Sequence, residues 1–143
     1  MRALGIDLGS KRIGVATSDR SGTIATPLTV LKRSGSRETD YRAIAELVTE
    51  YEIECVVVGL PLHMNGNYGD AAKSAVAEVQ QLTSVLSVPV LTFDERRTTV
   101  TADNILIEQN MNAQERRKVI DKVAAAVMLQ SWLDGRKMTE SNS

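Results

Sequence analysis

The residues of this chain best suited to chemistry are acids far apart in sequence, each with cations close by. Asp7 stands in GIDLGSKR, with Lys11 and Arg12 just after it. Asp94 and Glu95 stand in FDERR, followed at once by Arg96 and Arg97. Asp121 comes one helical turn after Arg117. Carboxylates gathered from three elements can hold divalent cations. Two such ions about 4 Å apart stabilise both the attacking and the leaving oxygen when water displaces a phosphodiester. In that scheme Asp7 is the bridging ligand, with Glu95 (or its neighbour Asp94) and Asp121 completing the cage. Lys11, Arg12, Arg96, Arg97 and Arg117 would neutralise backbone phosphates, the arginines being able to do so bidentately. There is one cysteine, Cys55, and one histidine, His63. A cysteine-based zinc site and a multi-histidine site are therefore excluded. Oxygen ligands favour Mg²⁺ or Mn²⁺.

The elements that must position these groups follow from periodicity. Leu4, Ile6 and Leu8 alternate with Ala3, Gly5 and Asp7, the pattern of a strand with one buried face. After a turn at Gly9-Ser10-Lys11, a second strand with Ile13, Val15 and Thr17 pairs back on the first. Asp7 then lies among small residues, with Gly14 and Ala16 across the hairpin. A carboxylate there is expensive to desolvate unless something positive meets it. Thr23 to Leu31 reads as a third strand that Pro27 confines to an edge or a bulge. Ser36 caps a helix whose buried stripe is Tyr41, Ile44, Leu47, Val48 and Tyr51. Cys55 to Val58 is apolar without alternation, as in a central parallel strand, and Cys55 reads as inert core.

A long loop follows, Gly59 to Gly69, holding three glycines, Asn65, Asn67 and Pro61. Loops at the C-terminal ends of parallel strands are where such folds place ligands, and Asn65 is its candidate contact to nucleic acid. Asp70 is expected to cap the next helix, with the stripe Ala72, Ala75, Val76, Val79, Leu82 and Leu86. Val88 to Phe93 is the last strand. Two helices close the chain, the second opened by Asn112 and Glu115 and carrying Asp121 on a face with Ala124, Ala125 and Met128. Those small residues would let it approach the sheet closely. The order β-β-β-α-β-α-β-α-α suits a mixed five-stranded sheet of three antiparallel strands then two parallel ones. Helices cover both faces, the ribonuclease H-like arrangement.

The 143 residues suit one domain, residues 1–134, with a polar tail over 135–143. No apolar run approaches a membrane span, and a strand begins too near the N-terminus for a leader, so no membrane and a cytoplasmic location are expected. Net charge is −1. Positive charge must then be concentrated locally, at Lys11-Arg12, Lys32-Arg33, Arg96-Arg97 and Arg116-Arg117-Lys118.

The segments GIDLGSKRIGVA, VVGLPLHMNGNYG, FDERRTT and DKVAAAVML together resemble the YqgF/RuvX family of bacterial RuvC-like nucleases, from about Leu4 to Leu133. The resemblance implies a metal-dependent nuclease acting in 5′-end maturation of precursor 16S rRNA, with Holliday-junction resolution on branched DNA as the alternative. It implies the ribosome or its precursor as a partner, and a monomer, or a homodimer for a junction. It carries the acids onto Asp7, Glu95 and Asp121, the basic residues onto Lys11, Arg12 and Arg96, and the loop onto Gly59 to Gly69. One departure from the wider RuvC-like pattern is that no acid follows the fourth strand, which runs into Gly59-Leu60-Pro61. Two other readings compete. GIDLGSKRIGVA also looks like the first phosphate-binding hairpin of actin, sugar-kinase and Hsp70 ATPases, which need two such lobes. A catalytically silent RNA-binding module for ribosome assembly is the other.

Overall fold

The computed structural model describes residues 1–63, 65–98 and 123–136. Strands β1 (Ala3–Leu8), β2 (Arg12–Ser18) and β3 (Ala25–Lys32) are followed by helix α1 (Arg37–Glu50) and strand β4 (Cys55–Leu60). Helix α2 (Asp70–Val85), strand β5 (Val90–Asp94) and a single 3₁₀ turn (Glu95–Arg97) come next. Residues 123–136 form helix α3. The sheet order is β3-β2-β1-β4-β5. β1–β2 and β2–β3 are antiparallel, while β1–β4 and β4–β5 are parallel. This is the mixed five-stranded α/β sheet the sequence pattern predicts.

Side-chain alternation divides the core into two layers. Leu4, Ile6, Ile13, Val15, Val56 and Val58 pack beneath α1 and α2 through Tyr41, Ile44, Val48 and Leu82. On the opposite face Ala3, Ala16, Cys55 and Val57 meet Ala125, Ala126, Met128, Leu129 and Leu133 of α3. β4 is buried at every position, as a central strand covered on both sides must be. Cys55 is buried, and burial pushes its thiol pKa up, as expected of inert core. α3 packs directly on Gly5, where a Cβ would sit 2.9 Å from Leu129 Cβ and 3.2 Å from the Ala125 carbonyl. Alanine at Gly5 would force helix and sheet apart, an overpacking worth about 1–3 kcal/mol.

Several local rules operate as expected. The Ser36 side chain accepts from Thr39 N, with Glu38 and Asp40 in the first turn. Pro27 lies on edge strand β3, beside a register irregularity at Val15/Ala16. Trp132 sits partly buried at the edge of the α3 layer. Other boundaries differ from the sequence pattern. β3 begins at Ala25 because Asp19 accepts from Thr23 N and Ile24 N, which lengthens the preceding turn. β5 begins at Val90; Pro89 has no N–H to give the ladder, although its carbonyl accepts from Val56 N. Gly59 and Leu60 belong to β4, paired with Phe93 and Asp94, and not to the loop. Gly69 is the residue before α2, with no side-chain cap, and Asp70 is the first helical residue. Gly135 and Arg136 continue α3, with the Arg136 guanidinium 4.9 Å above the Trp132 ring one turn back. The helix expected near Val100 to Ile107 and the capping pair Asn112/Glu115 fall outside the described residues.

Candidate metal and nucleic-acid site

Strand parity brings the first two acids together. Asp7 follows Ala3 and Gly5 on the α3 face of β1, opposite Gly14 of β2. In β4 the same face carries Cys55, Val57 and then Gly59. Gly59 therefore ends its row with no side chain, close to Asp7. Past β5 the chain turns at Glu95, whose side chain fills that gap. A Cβ on Gly59 would stand 2.6 Å from Glu95 Oε1 and 3.1 Å from its Cγ. The role of this glycine is steric: its bare Cα is the floor on which the carboxylate rests.

Electrostatics separate the two neighbouring acids that the sequence left as alternatives. Glu95 is half-buried. Burial first, then the charge of Asp7 and that of Asp94, push its pKa up to about 7. Asp94 instead accepts from Arg96 Nε at 3.0 and 2.9 Å and from Arg96 N at 3.0 Å. These bonds hold it below the usual carboxylate range. Asp94 thus anchors Arg96, while Glu95 faces Asp7. Two carboxylates placed to repel one another, with oxygen the only donor type, suit a hard divalent cation. Among the described residues no three acid, cysteine or histidine side chains converge as a metal-binding group. Asp121, the third expected ligand, lies outside the described residues, as does Arg117.

Of the expected nucleic-acid contacts, Lys11, Arg12, Asn65, Arg96 and Arg97 fall among the described residues. Lys11 and Arg12 are exposed where the β1–β2 turn enters β2, and Arg97 is exposed beyond Glu95. Arg96 reaches over the loop after β4. Its Nη1 would be 3.4 Å from a Cβ on Gly66, which holds φ +87°. That loop closes on itself. His63 N donates to Asn67 O at 3.0 Å, Gly66 N to His63 O at 2.8 Å, and Asn67 N to Asn65 Oδ1 at 3.0 Å. Asn65 remains exposed, and the His63 ring lies against Gly69 where a Cβ would collide.

One constellation escaped the sequence reading. Glu78 of α2 is only 4% exposed. It accepts from Arg33 Nη1 at 2.8 Å and Nη2 at 2.9 Å, and from the Tyr41 hydroxyl at 2.6 Å. Arg33 Nε also donates to the Gly9 carbonyl at 2.7 Å. This strut fixes the turn that follows Asp7. Its signal was present, since Glu78 stands three residues after Ala75 and four before Leu82, on the apolar stripe.

Comparison with known proteins gives this geometry a context. Residues 1–135 match the family model described as "RuvX: Holliday junction resolvase". The chain belongs to the RuvX family. A relative from Thermoanaerobacter pseudethanolicus is 44% identical over 96% of this chain and 99% of its own length. One from Caldanaerobacter subterraneus is 48% identical over the same shares. Both carry the name "Putative pre-16S rRNA nuclease". Among solved structures, Thermus thermophilus RuvC in complex with a Holliday junction substrate superposes with a TM-score of 0.59 at 17% identity, covering 96% of each chain. RuvC from the same organism, in a second structure, gives 0.57 at 18% identity over 97% of this chain and 98% of that one. At such identity the likeness establishes the RuvC-like fold of this RuvX-family chain. No helix among the described residues is long and apolar enough to cross a membrane.

Proposed function

We propose that this protein is a divalent-metal-dependent nuclease of the cytoplasm, a single catalytic domain that hydrolyses phosphodiester bonds in 5′-end maturation of precursor 16S rRNA. The observation that carries the reading is Glu95 laid over Gly59 to face Asp7. Family membership and the names of the relatives support the reaction class and the RNA substrate.

Asp7 and Glu95 would hold Mg²⁺ or Mn²⁺, with Asp121 as third ligand. Bound divalent ions would supply charge stabilisation at the attacking and leaving oxygens and lower the pKa of water. The chain's own residues do the rest. Asp94 orients Arg96 so that its charge stands at the mouth of the site beside the 61–69 loop. Lys11, Arg12, Arg97 and Arg117 with Asn65 would contact the phosphate backbone and set its register without reading sequence. The family description favours a second reading, cleavage of branched DNA by a homodimer, in which two copies cut symmetrically.

A cleavage assay in Mn²⁺ on precursor 16S rRNA and on junction DNA, with wild type and Asp7→Asn side by side, tests both. Wild type should cut the rRNA. Asp7→Asn should lose at least about 100-fold in rate, since even outer-shell partners of a metal commonly contribute 10–100-fold. Cleavage by Asp7→Asn at the wild-type rate would reject the metal site. Cutting of the junction alone would transfer the assignment to DNA.

A further inference from the structure

The nuclease reading uses the α3 face of the sheet and, of the groove on the other side of the β1–β2 turn, only Lys11; Lys32, Arg33 and Arg37 concentrate further positive charge there. We infer that the groove walled by Ser10, Lys11, Lys32 and Arg37 is a second phosphate-binding subsite, which grips the nucleic-acid backbone away from the bond being cut. This inference rests on the nuclease reading for its ligand.

The groove has a volume of about 460 Å³ and is completed by Arg33, Gly35 and Asp40. It is continued by a second groove of about 320 Å³ that passes Gly9 and Ser10 to Ala71 and Ser74 of α2. Ser10, Arg33 and Arg37 line both, so the two join as one channel.

Charge is in excess there. Arg33 is bound to Glu78, and Arg37 Nε lies 3.9 Å from the same carboxylate. Asp40 in the wall accepts from Ser34 N at 3.1 Å. Four cations against these two acids leave a surplus of two positive charges, on a chain whose net charge is −1. Among the described residues neither Lys11 nor Lys32 has an acidic partner. Lys32 is also paired in register with Arg12, which places both cations at this end of the hairpin. An edge-strand lysine commonly deters edge pairing, but that role requires only solvent, not a walled groove with three more cations.

The site is also built rigidly. Arg33 N donates to Lys11 O at 2.9 Å, and Arg33 Nε holds Gly9 O. Both ends of the turn carrying Ser10 and Lys11 are thus tied to Glu78 through one arginine. A preorganised cationic groove loses little freedom when a phosphate enters.

The test is fluorescence anisotropy of a labelled single-stranded RNA of about 20 nucleotides, in EDTA so that nothing is cut. Lys32→Glu should bind roughly tenfold more weakly, and its salt dependence should fall by about one released counterion. Lys32→Gln should lose less. Neither should melt earlier than wild type, because Lys32 is exposed and makes no ion pair among the described residues. Arg20→Glu makes the same change of charge beyond the opposite end of β2, and should retain wild-type affinity. Inorganic phosphate at matched ionic strength should fail to displace the RNA, which separates the strand backbone from a free anion as ligand. Unchanged affinity in Lys32→Glu would overturn the inference. So would an equal loss in Arg20→Glu, or displacement by phosphate. Binding in EDTA is read independently of cleavage in Mn²⁺, so failure of the groove and failure of the nuclease reading are distinguishable.

Discussion

Glu78 and Glu95 are both withdrawn from water, and the fold treats them in opposite ways. For Glu78, burial alone would raise the pKa, but the Arg33 fork and the Tyr41 hydroxyl outweigh it and hold the carboxyl below its ordinary value. Glu95 has no such partner among the described residues; burial, Asp7 and Asp94 all push it upward, to about 7. The first carboxylate is satisfied by the chain and ties the turn beside Asp7 to α2. The second is held in an unfavourable state by its surroundings, over a glycine that makes room for it. A group kept frustrated beside a like charge is what a cation site requires, and the satisfied group nearby keeps that site in shape.

The contrast can be broken at either end. The largest stability effect belongs to Glu78→Ala, which strands the Arg33 charge in a mostly buried setting. A loss of about 3–5 kcal/mol is expected, or a Tm fall on the order of 10 °C. The Glu78 contribution is present above the unfolded pKa near 4.5 and disappears as pH falls through its lower folded value, so the deficit of this variant should shrink in acid. A deficit independent of pH would show that packing, not charge, is what Glu78 provides.

Glu95→Gln should do the reverse. With its folded pKa raised, Glu95 costs nothing below about 4.5, destabilises progressively as pH rises from there to about 7, and exerts its full penalty above that. In metal-free buffer the variant should match wild type near pH 4. It should become more stable toward pH 8, by at most about 3 kcal/mol for a shift of that size. Melting curves across that range decide the matter; identical pH profiles would mean Glu95 does not feel Asp7.

Gly59→Ala gives the smallest stability effect. The added methyl meets the flexible end of Glu95, which can swing away, so stability should change by less than about 1 kcal/mol. Displacing the ligand should nevertheless reduce cleavage by about tenfold or more. A fully active Gly59→Ala protein would separate the glycine from the site.

These residues also show how much was legible from sequence. The Asp7 hairpin was, because strict alternation fixes which neighbours share its face, and Gly14 is indeed opposite. The unbroken apolar run of β4 announced a central strand, Ser36 a helix start, and Pro27 an edge. Gly59 was not legible. In sequence it opens a glycine-rich loop; in the fold β5 extends through Asp94, pairs Leu60, and draws Gly59 into the sheet. The division of labour between Asp94 and Glu95 was equally hidden, since adjacent acids before two arginines look alike until the backbone turns. Glu78 could have been suspected from its place on the α2 stripe, but its partners Arg33 and Tyr41 lie in other elements, and only tertiary packing joins them.

The central claim is that Asp7 and Glu95 share a divalent cation, and Mn²⁺-induced thermal stabilisation at pH 8 tests it most directly. Near 100-fold excess over its Kd, the ion should stabilise the wild type by about 2.7 kcal/mol, seen as a Tm rise of roughly 5–10 °C. Glu95→Gln, already relieved of its repulsion, should gain little from the same Mn²⁺. An equal rise in both proteins would place the ion elsewhere and contradict the account.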